Sequence, residues 1–175
     1  KGRVRPAQSL QGEMVMSIKV GDKLPDIGLQ SKTADGIDTL DNAALFAGKK
    51  VVLFAVPGAF TPTCSAKHVP SFVQNIDALK AKGVDTVACV SVNDPFVMGE
   101  WAKDQGSDGK VLMLADGSGK FAKAIGLELD LTERGLGVRS QRYAMVVEDG
   151  TVTQLYVEEA GAYDVSSAEN VLKHL

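Results

Sequence analysis

Cys64 is the residue whose neighbours most clearly point to chemistry. It lies near the end of the stretch Pro57-Gly-Ala-Phe-Thr61-Pro-Thr-Cys64-Ser65. Six apolar residues, Val51 to Val56, come just before it and read as a buried strand. After it, apolar residues at Val69, Phe72, Val73, Ile76 and Leu79 carry a helical period, which predicts a helix to Lys82. Strand, short loop and helix start place Cys64 beyond the C-terminal end of a central strand, where open α/β sheets meet their ligands. Pro62 suits the first helical position, which makes Thr61 the N-cap and Cys64 the third helical residue. A thiol in that turn faces unpaired N–H groups and the positive end of the helix dipole, and both favour thiolate. A free thiol with pKa ~8.5 is a few per cent ionised at neutral pH, so full ionisation gains only about 30-fold in nucleophile. A catalyst must therefore also hold the leaving atom. The other reading of Cys64 is an inert buried cysteine.

The elements around this stretch follow from pattern. Val84–Val92 and Val111–Ala115 read as further buried strands, and Arg142–Glu148 and Thr151–Val157 as a hairpin turned at Asp149-Gly150. Helices are expected at Asp41–Phe46 (capped by Asp41), Phe96–Gln105, Phe121–Leu127 and Ala168–Leu175, the last capped by Ser166 or Ser167. Pro70 should bend the helix after Cys64, and Gly83 should end it. Leu129–Gln141 reads as a loop, and residues 14–36 as short extended pieces. The order β-α-β-α-β-α-β-β-α predicts an α/β protein of thioredoxin-like outline, a central mixed sheet flanked by helices, with a right-handed crossover after Val56. The 175 residues, 45% apolar and 23% charged, suit one domain over 14–175. Residues 1–13 are basic and without period, and are expected to form a disordered or loosely docked arm, a transit-peptide or expression remnant. A net charge of −3 gives no electrostatic case for nucleic acid. No apolar run is long enough for a membrane helix. Two cysteines and two histidines give neither a disulfide framework nor metal-site spacing, and favour a reducing compartment. Asp116-Gly-Ser-Gly119 lacks the further glycine of a dinucleotide loop and reads as a turn.

Several residues could assist Cys64. Thr61 stands where many thioredoxin-like chains carry the first thiol of Cys-x-x-Cys. With a hydroxyl there, no local disulfide can form, but hydroxyl and thiolate together can hold a small oxygen-containing substrate. His68, four residues on, shares a helical face with Cys64. It is either a base or a support for nearby backbone, and the second reading is favoured. Cys89 is either a buried core thiol or a resolving cysteine, and pairing with Cys64 would need Cα atoms within ~7 Å. Strand and helix start approach that only with local unfolding. Trp101, the only tryptophan, is expected to pack near the pocket rim. A cysteine hydrolase is disfavoured, since the remaining histidine, His174, sits at the C-terminus.

The pattern Pro57-x-x-x-Thr61-x-x-Cys64 resembles the peroxiredoxin signature. Together with Lys67-His-Val-Pro70, Cys89–Val97, Leu114–Gly117 and Gly135–Tyr143, it is similar to the type II peroxiredoxins of plants and algae, most of all the plastid forms. The resemblance runs from about Ile18 to the C-terminus. It implies that Cys64 is the peroxidatic cysteine, oxidised to sulfenic acid by a hydroperoxide. It implies that Thr61 hydrogen-bonds the peroxide, that Pro57 shields the thiolate, and that Arg142 stabilises both thiolate and developing oxyanion. Thr61 has one hydroxyl, so its substrate role is expected to override capping. Arg139 is the competing arginine, expected at the rim or behind the site. The function implied is a thiol peroxidase acting on hydrogen peroxide and alkyl hydroperoxides without cofactor or metal. An external thiol, glutathione with glutaredoxin first and thioredoxin second, is expected to regenerate it. The alternatives are a redox sensor or relay that oxidises partner thiols, and a thioredoxin-fold binding module with a vestigial site. A non-covalent homodimer and the chloroplast stroma are expected, with the cytosol as the other compartment.

Overall fold

The computed structural model describes residues 17–175, so the arm expected over 1–13 lies outside the described residues. Nine strands and six short α-helices follow one another: β1 Leu29–Thr33, β2 Gly36–Leu40, α1 Asn42–Leu45, β3 Lys50–Ala55, α2 Val69–Gln74, α3 Ile76–Ala81, β4 Thr86–Ser91, α4 Pro95–Gln105, β5 Leu112–Ala115, α5 Lys120–Ala124, β6 Glu128–Leu131, β7 Gly137–Ser140, β8 Tyr143–Glu148, β9 Thr151–Val157 and α6 Ala168–Lys173. Seven strands form a mixed sheet in the order β2-β1-β5-β4-β3-β8-β9. β3, β4 and β5 run parallel, with Phe54 opposite Cys89, and β8 lies antiparallel to β3. This is a thioredoxin-like arrangement, and the two central strands are the apolar runs on either side of the Cys64 helix.

The two-residue period of the strands divides the core. Val52, Phe54 and Val56 of the β3 segment face one side with Val87 and Cys89 of β4, and Cys64, Phe72 and Trp101 cover them. Val51, Leu53 and Ala55 face the other side with Ala88, Val90, Met145, Phe121 and Ile125. Both faces are buried, as continuous apolar strands require. Cys64 and Cys89 thus belong to the same cluster on one face of the sheet, and both are free thiols.

Three expectations need correction. The helix after Cys64 is not one run to Gly83: it breaks at Asn75, whose backbone leaves the helical region (φ −103°, ψ 11°). Leu129–Gln141 is not a loop, because β6 and β7 pair as a separate two-stranded ribbon through the 3₁₀ turn Thr132–Arg134. The apolar alternation there is short and half-exposed, too weak to show as periodicity. Likewise residues 37–40, which read from sequence as part of a connector running to Gly48, belong to β2, paired residue for residue with β1. Asp41 does cap α1, accepting from Ala44 N–H at 2.9 Å. Ser167 caps α6.

Candidate active site

The helix carrying Cys64 opens at Pro62, and Cys64 is its third residue. From Cys64 to His68 it winds as a π turn, in which Val69 N–H donates to the Cys64 carbonyl. Pro70 follows at once. Having no N–H, it would leave an α-helical ladder one bond short, and the wide turn shifts the ladder just before that gap. Upstream, Pro57–Phe60 folds tightly. Ala59 N–H donates to Asn93 Oδ1 at 3.0 Å, and Phe60 takes the left-handed backbone region at φ 64°, costly for a bulky residue. The same turn brings the Gly58 carbonyl under Thr61, whose hydroxyl donates to it at 2.7 Å. Thr61 therefore caps the helix with its backbone only, accepting from Ser65 N–H at 3.0 Å, and its hydroxyl makes no side-chain cap.

Cys64 is fully buried. Arg142, the residue before β8, donates from Nη2 to Cys64 Sγ at 3.2 Å. Its other terminal nitrogen, Nη1, lies 2.9 Å from His68 Nδ1, and His68 Nε2 lies 3.0 Å from the Ser166 carbonyl. A guanidinium can only donate and a carbonyl can only accept. These two neighbours fix His68 as the neutral tautomer with its proton on Nε2. Burial among the rings of Phe54, Phe72 and Tyr163, then the adjacent Arg142 charge, hold its pKa down to about 3. With its Nδ1 lone pair engaged by Arg142, His68 is placed to support the arginine and is not free to act as a base toward Cys64. Among the described residues the ion pairs are Lys19–Asp22 and Lys103–Glu100, so no carboxylate lies at ion-pair distance from Arg142.

Arg139 does not reach Cys64. It donates from Nη1 to the Pro57 carbonyl at 3.0 Å and from Nε to Leu136 O at 2.8 Å, tying the β6–β7 ribbon to the Cys64 loop. A Cβ on Gly58 would sit 2.6 Å from that Nη1, so this glycine is the space the arginine occupies. Cys89 lies wholly in the core, where burial pushes its thiol pKa well up. Trp101 is not at the rim: it is fully buried, and its Nε1–H donates to Ser65 Oγ at 3.0 Å. Missed from the sequence were Glu158, Tyr163 and Ser166, which reach the site from the segment between β9 and α6, over 90 residues from Cys64. Ser166 was marked only as a candidate helix cap, and nothing in the local pattern tied any of the three to the site.

A cavity of about 370 Å³ adjoins the site, with Pro57, Thr63, Leu129 and Arg142 in its wall. A larger cleft, about 840 Å³, between α4 and β1 touches none of these residues. Chemically, the arrangement is a buried sulfur with a guanidinium donor beside it and a hydroxyl one turn earlier. It suits attack by thiolate on a small polar molecule whose leaving oxygen becomes negative.

A family model described as Redoxin matches residues 19–172. The chloroplastic Peroxiredoxin-2E of Arabidopsis thaliana is 53% identical over 163 residues, covering 91% of this chain and 70% of that protein. Peroxiredoxin-2C of Oryza sativa subsp. japonica is 53% identical, covering 90% of this chain and 98% of that protein. Among solved structures, reduced Prx3 of Vibrio vulnificus in complex with H2O2 superposes with a TM-score of 0.86 at 52% identity, covering 90% of this chain and 98% of that one.

Proposed function

The chain belongs to the peroxiredoxin family, alongside the plant peroxiredoxin-2 forms, and on that premise we propose that it reduces hydrogen peroxide and small alkyl hydroperoxides through a sulfenic acid at Cys64. The observation that carries this reading is the Arg142 Nη2 to Cys64 Sγ contact of 3.2 Å at a sulfur closed off from water. In the first step the Cys64 thiolate attacks the terminal peroxide oxygen. An S–O bond forms, the O–O bond breaks, and the leaving oxygen takes the electron pair and a proton from solvent, balancing the one the thiol released, departing as water or alcohol. Arg142 stabilises the thiolate before the step and the oxyanion during it. Thr61 exchanges its bond to the Gly58 carbonyl for one to the peroxide. Pro57 walls the pocket on the solvent side. In the second step an external thiol attacks the sulfenic sulfur, releasing water and leaving a mixed disulfide. A second thiol then reduces that disulfide.

Glutathione with glutaredoxin is the proposed reductant, with thioredoxin second. Cys89 supports this order, because its burial and raised pKa leave little thiolate to resolve Cys64 directly. A homodimer that packs the active-site edges together is proposed from the apolar surface there. Phe60, Leu136 and Val138 are exposed beside the site, Phe60 on the Cys64 loop and the other two on the segment that Arg139 ties to it. The chloroplastic relatives in Arabidopsis and rice support a plastid stromal address over a cytosolic one. Steady-state peroxide consumption, run in parallel with glutathione/glutaredoxin and with thioredoxin, tests the reading. Turnover with the first at a rate well above the second is expected. Absence of turnover with both would overturn it.

A further inference from the structure

We propose that Glu158 is a positioning residue for Arg142, acting through Ser166 and His68. The segment that follows β9 leaves the sheet at Glu158 and wanders to Ser167 before α6 begins. Such a loop has no reason of its own to hold one carbonyl in one place. Glu158 supplies the reason. Its Oε2 accepts from Asp164 N–H at 2.7 Å, Ser166 N–H at 2.8 Å and Ser166 Oγ–H at 2.7 Å. Three donors on one carboxylate oxygen, with the side chain buried, fix the Ser166 peptide. The Ser166 carbonyl then receives the Nε2 proton of His68 and leaves Nδ1 as an acceptor. Arg142 Nη1 donates to that acceptor, and its Nη2 is thereby held on Cys64 Sγ.

The chain of bonds closes on itself. Glu158 N–H donates to the Arg142 carbonyl at 3.0 Å, so one residue grips the arginine's backbone and, three bonds along, its guanidinium. Were the His68 proton on Nδ1 instead, two donors would face each other and the guanidinium would have to swing away from the sulfur. Burial works against the charge on Glu158, but the Asp164 N–H, Ser166 hydroxyl and Ser166 N–H outweigh it and lower its pKa. The carboxylate therefore stays an acceptor at neutral pH. Tyr163, from the same segment, lays its ring edge against His68 at 5.2 Å between centroids and closes the box.

This inference rests on Cys64 reacting with peroxide, and its test separates the two. Wild type, Glu158→Gln and Glu158→Ala are mixed with hydrogen peroxide in stopped flow, with Trp101 emission as the signal. The His68 tautomer is read by ¹⁵N NMR in the same proteins. Glu158→Gln keeps an acceptor and the volume, so it guards against a fold defect in the alanine variant. The expected result is a loss of about tenfold to a hundredfold in oxidation rate for Glu158→Ala, the range for one misplaced charge-assisted hydrogen bond, and a smaller loss for Glu158→Gln. The His68 nitrogens should shift toward mixed tautomers. In an Arg142→Ala background, Glu158→Ala should add almost nothing, because its effect runs through the arginine. Both Glu158 variants reacting at the wild-type rate with an unchanged tautomer would overturn the proposal, as would full additivity with Arg142→Ala. A wild type that ignores peroxide would instead overturn the peroxidase reading.

Discussion

Replacing Arg142 by alanine removes two bonds at once: 3.2 Å to Cys64 Sγ and 2.9 Å to His68 Nδ1. Cys64 is fully buried, so water cannot easily take the guanidinium's place. A hydrogen bond to a charged group is worth about 1.5–3 kcal/mol. Losing it from the attacking sulfur corresponds to about tenfold to a hundredfold in rate at 1.36 kcal/mol per factor of ten. The leaving oxygen loses the same donor in the transition state, where one missing oxyanion donor costs about 10²–10³ in rate. The two losses overlap, because one guanidinium serves both, so a fall of about 10³ in the peroxide rate constant is expected rather than the full product. Arg142→Lys restores charge without the fork that spans sulfur and imidazole, and should recover only part of the loss. Stopped-flow oxidation followed by Trp101 is the assay, since the indole is hydrogen-bonded to Ser65, next to Cys64. A rate within threefold of wild type would refute this assignment. So would an Arg139→Ala loss as large as that of Arg142→Ala, since Arg139 reaches only the Pro57 and Leu136 carbonyls.

Other expectations follow from the same contacts. Cys89→Ser should keep most glutaredoxin-linked turnover while Cys64→Ser abolishes it; equal loss in both would mean that the external-thiol route is wrong. His68 is neutral in the fold down to about pH 3 but takes a proton near pH 6.5 once unfolded, so the unfolded state binds the extra proton between those values and stability falls as pH drops through that window. The slope from this one group is at most about 1.4 kcal/mol per pH unit, and urea titrations of His68→Gln should show a flatter acid limb; an identical limb would contradict a His68 that stays neutral in the fold. Gly58→Ala should push Arg139 off the Pro57 carbonyl, since the new Cβ would lie 2.6 Å from Nη1. Its peroxide rate should match that of Arg139→Ala, with the double variant no worse than either, whereas additive losses would point to a separate backbone effect at Gly58.

The parts of this molecule that read clearly from sequence are those whose information is local. The Val51–Val56 run, the Pro62 helix start and the Asp149-Gly150 hairpin each carry their own signal, and together they place Cys64 at the sheet's C-terminal edge. The motif around Cys64 and the Gly135–Tyr143 stretch brought both arginines into view, but their division of labour depends on the β6–β7 ribbon, whose short half-exposed strands left no period to read. The break at Asn75 was hidden because the apolar spacing on either side continues across it. Glu158 and Ser166 were invisible as site residues for another reason. Their role lies in a carbonyl and a carboxylate brought to His68 by tertiary packing, and no residue spacing encodes that. Thr61 was legible as a helix start but not in detail, because the choice between capping and bonding Gly58 is decided by the fold of the preceding turn.

The most direct test of the central claim is rapid mixing of reduced protein with one equivalent of hydrogen peroxide, quenched with a sulfenic-acid trap and read by intact mass and peptide mapping. The account predicts fast gain of a single oxygen on Cys64, conversion to a mixed disulfide when glutathione is present, and an unmodified Cys89. Oxidation that begins at Cys89, or a Cys64 that reacts no faster than a free thiol in solution, would contradict it.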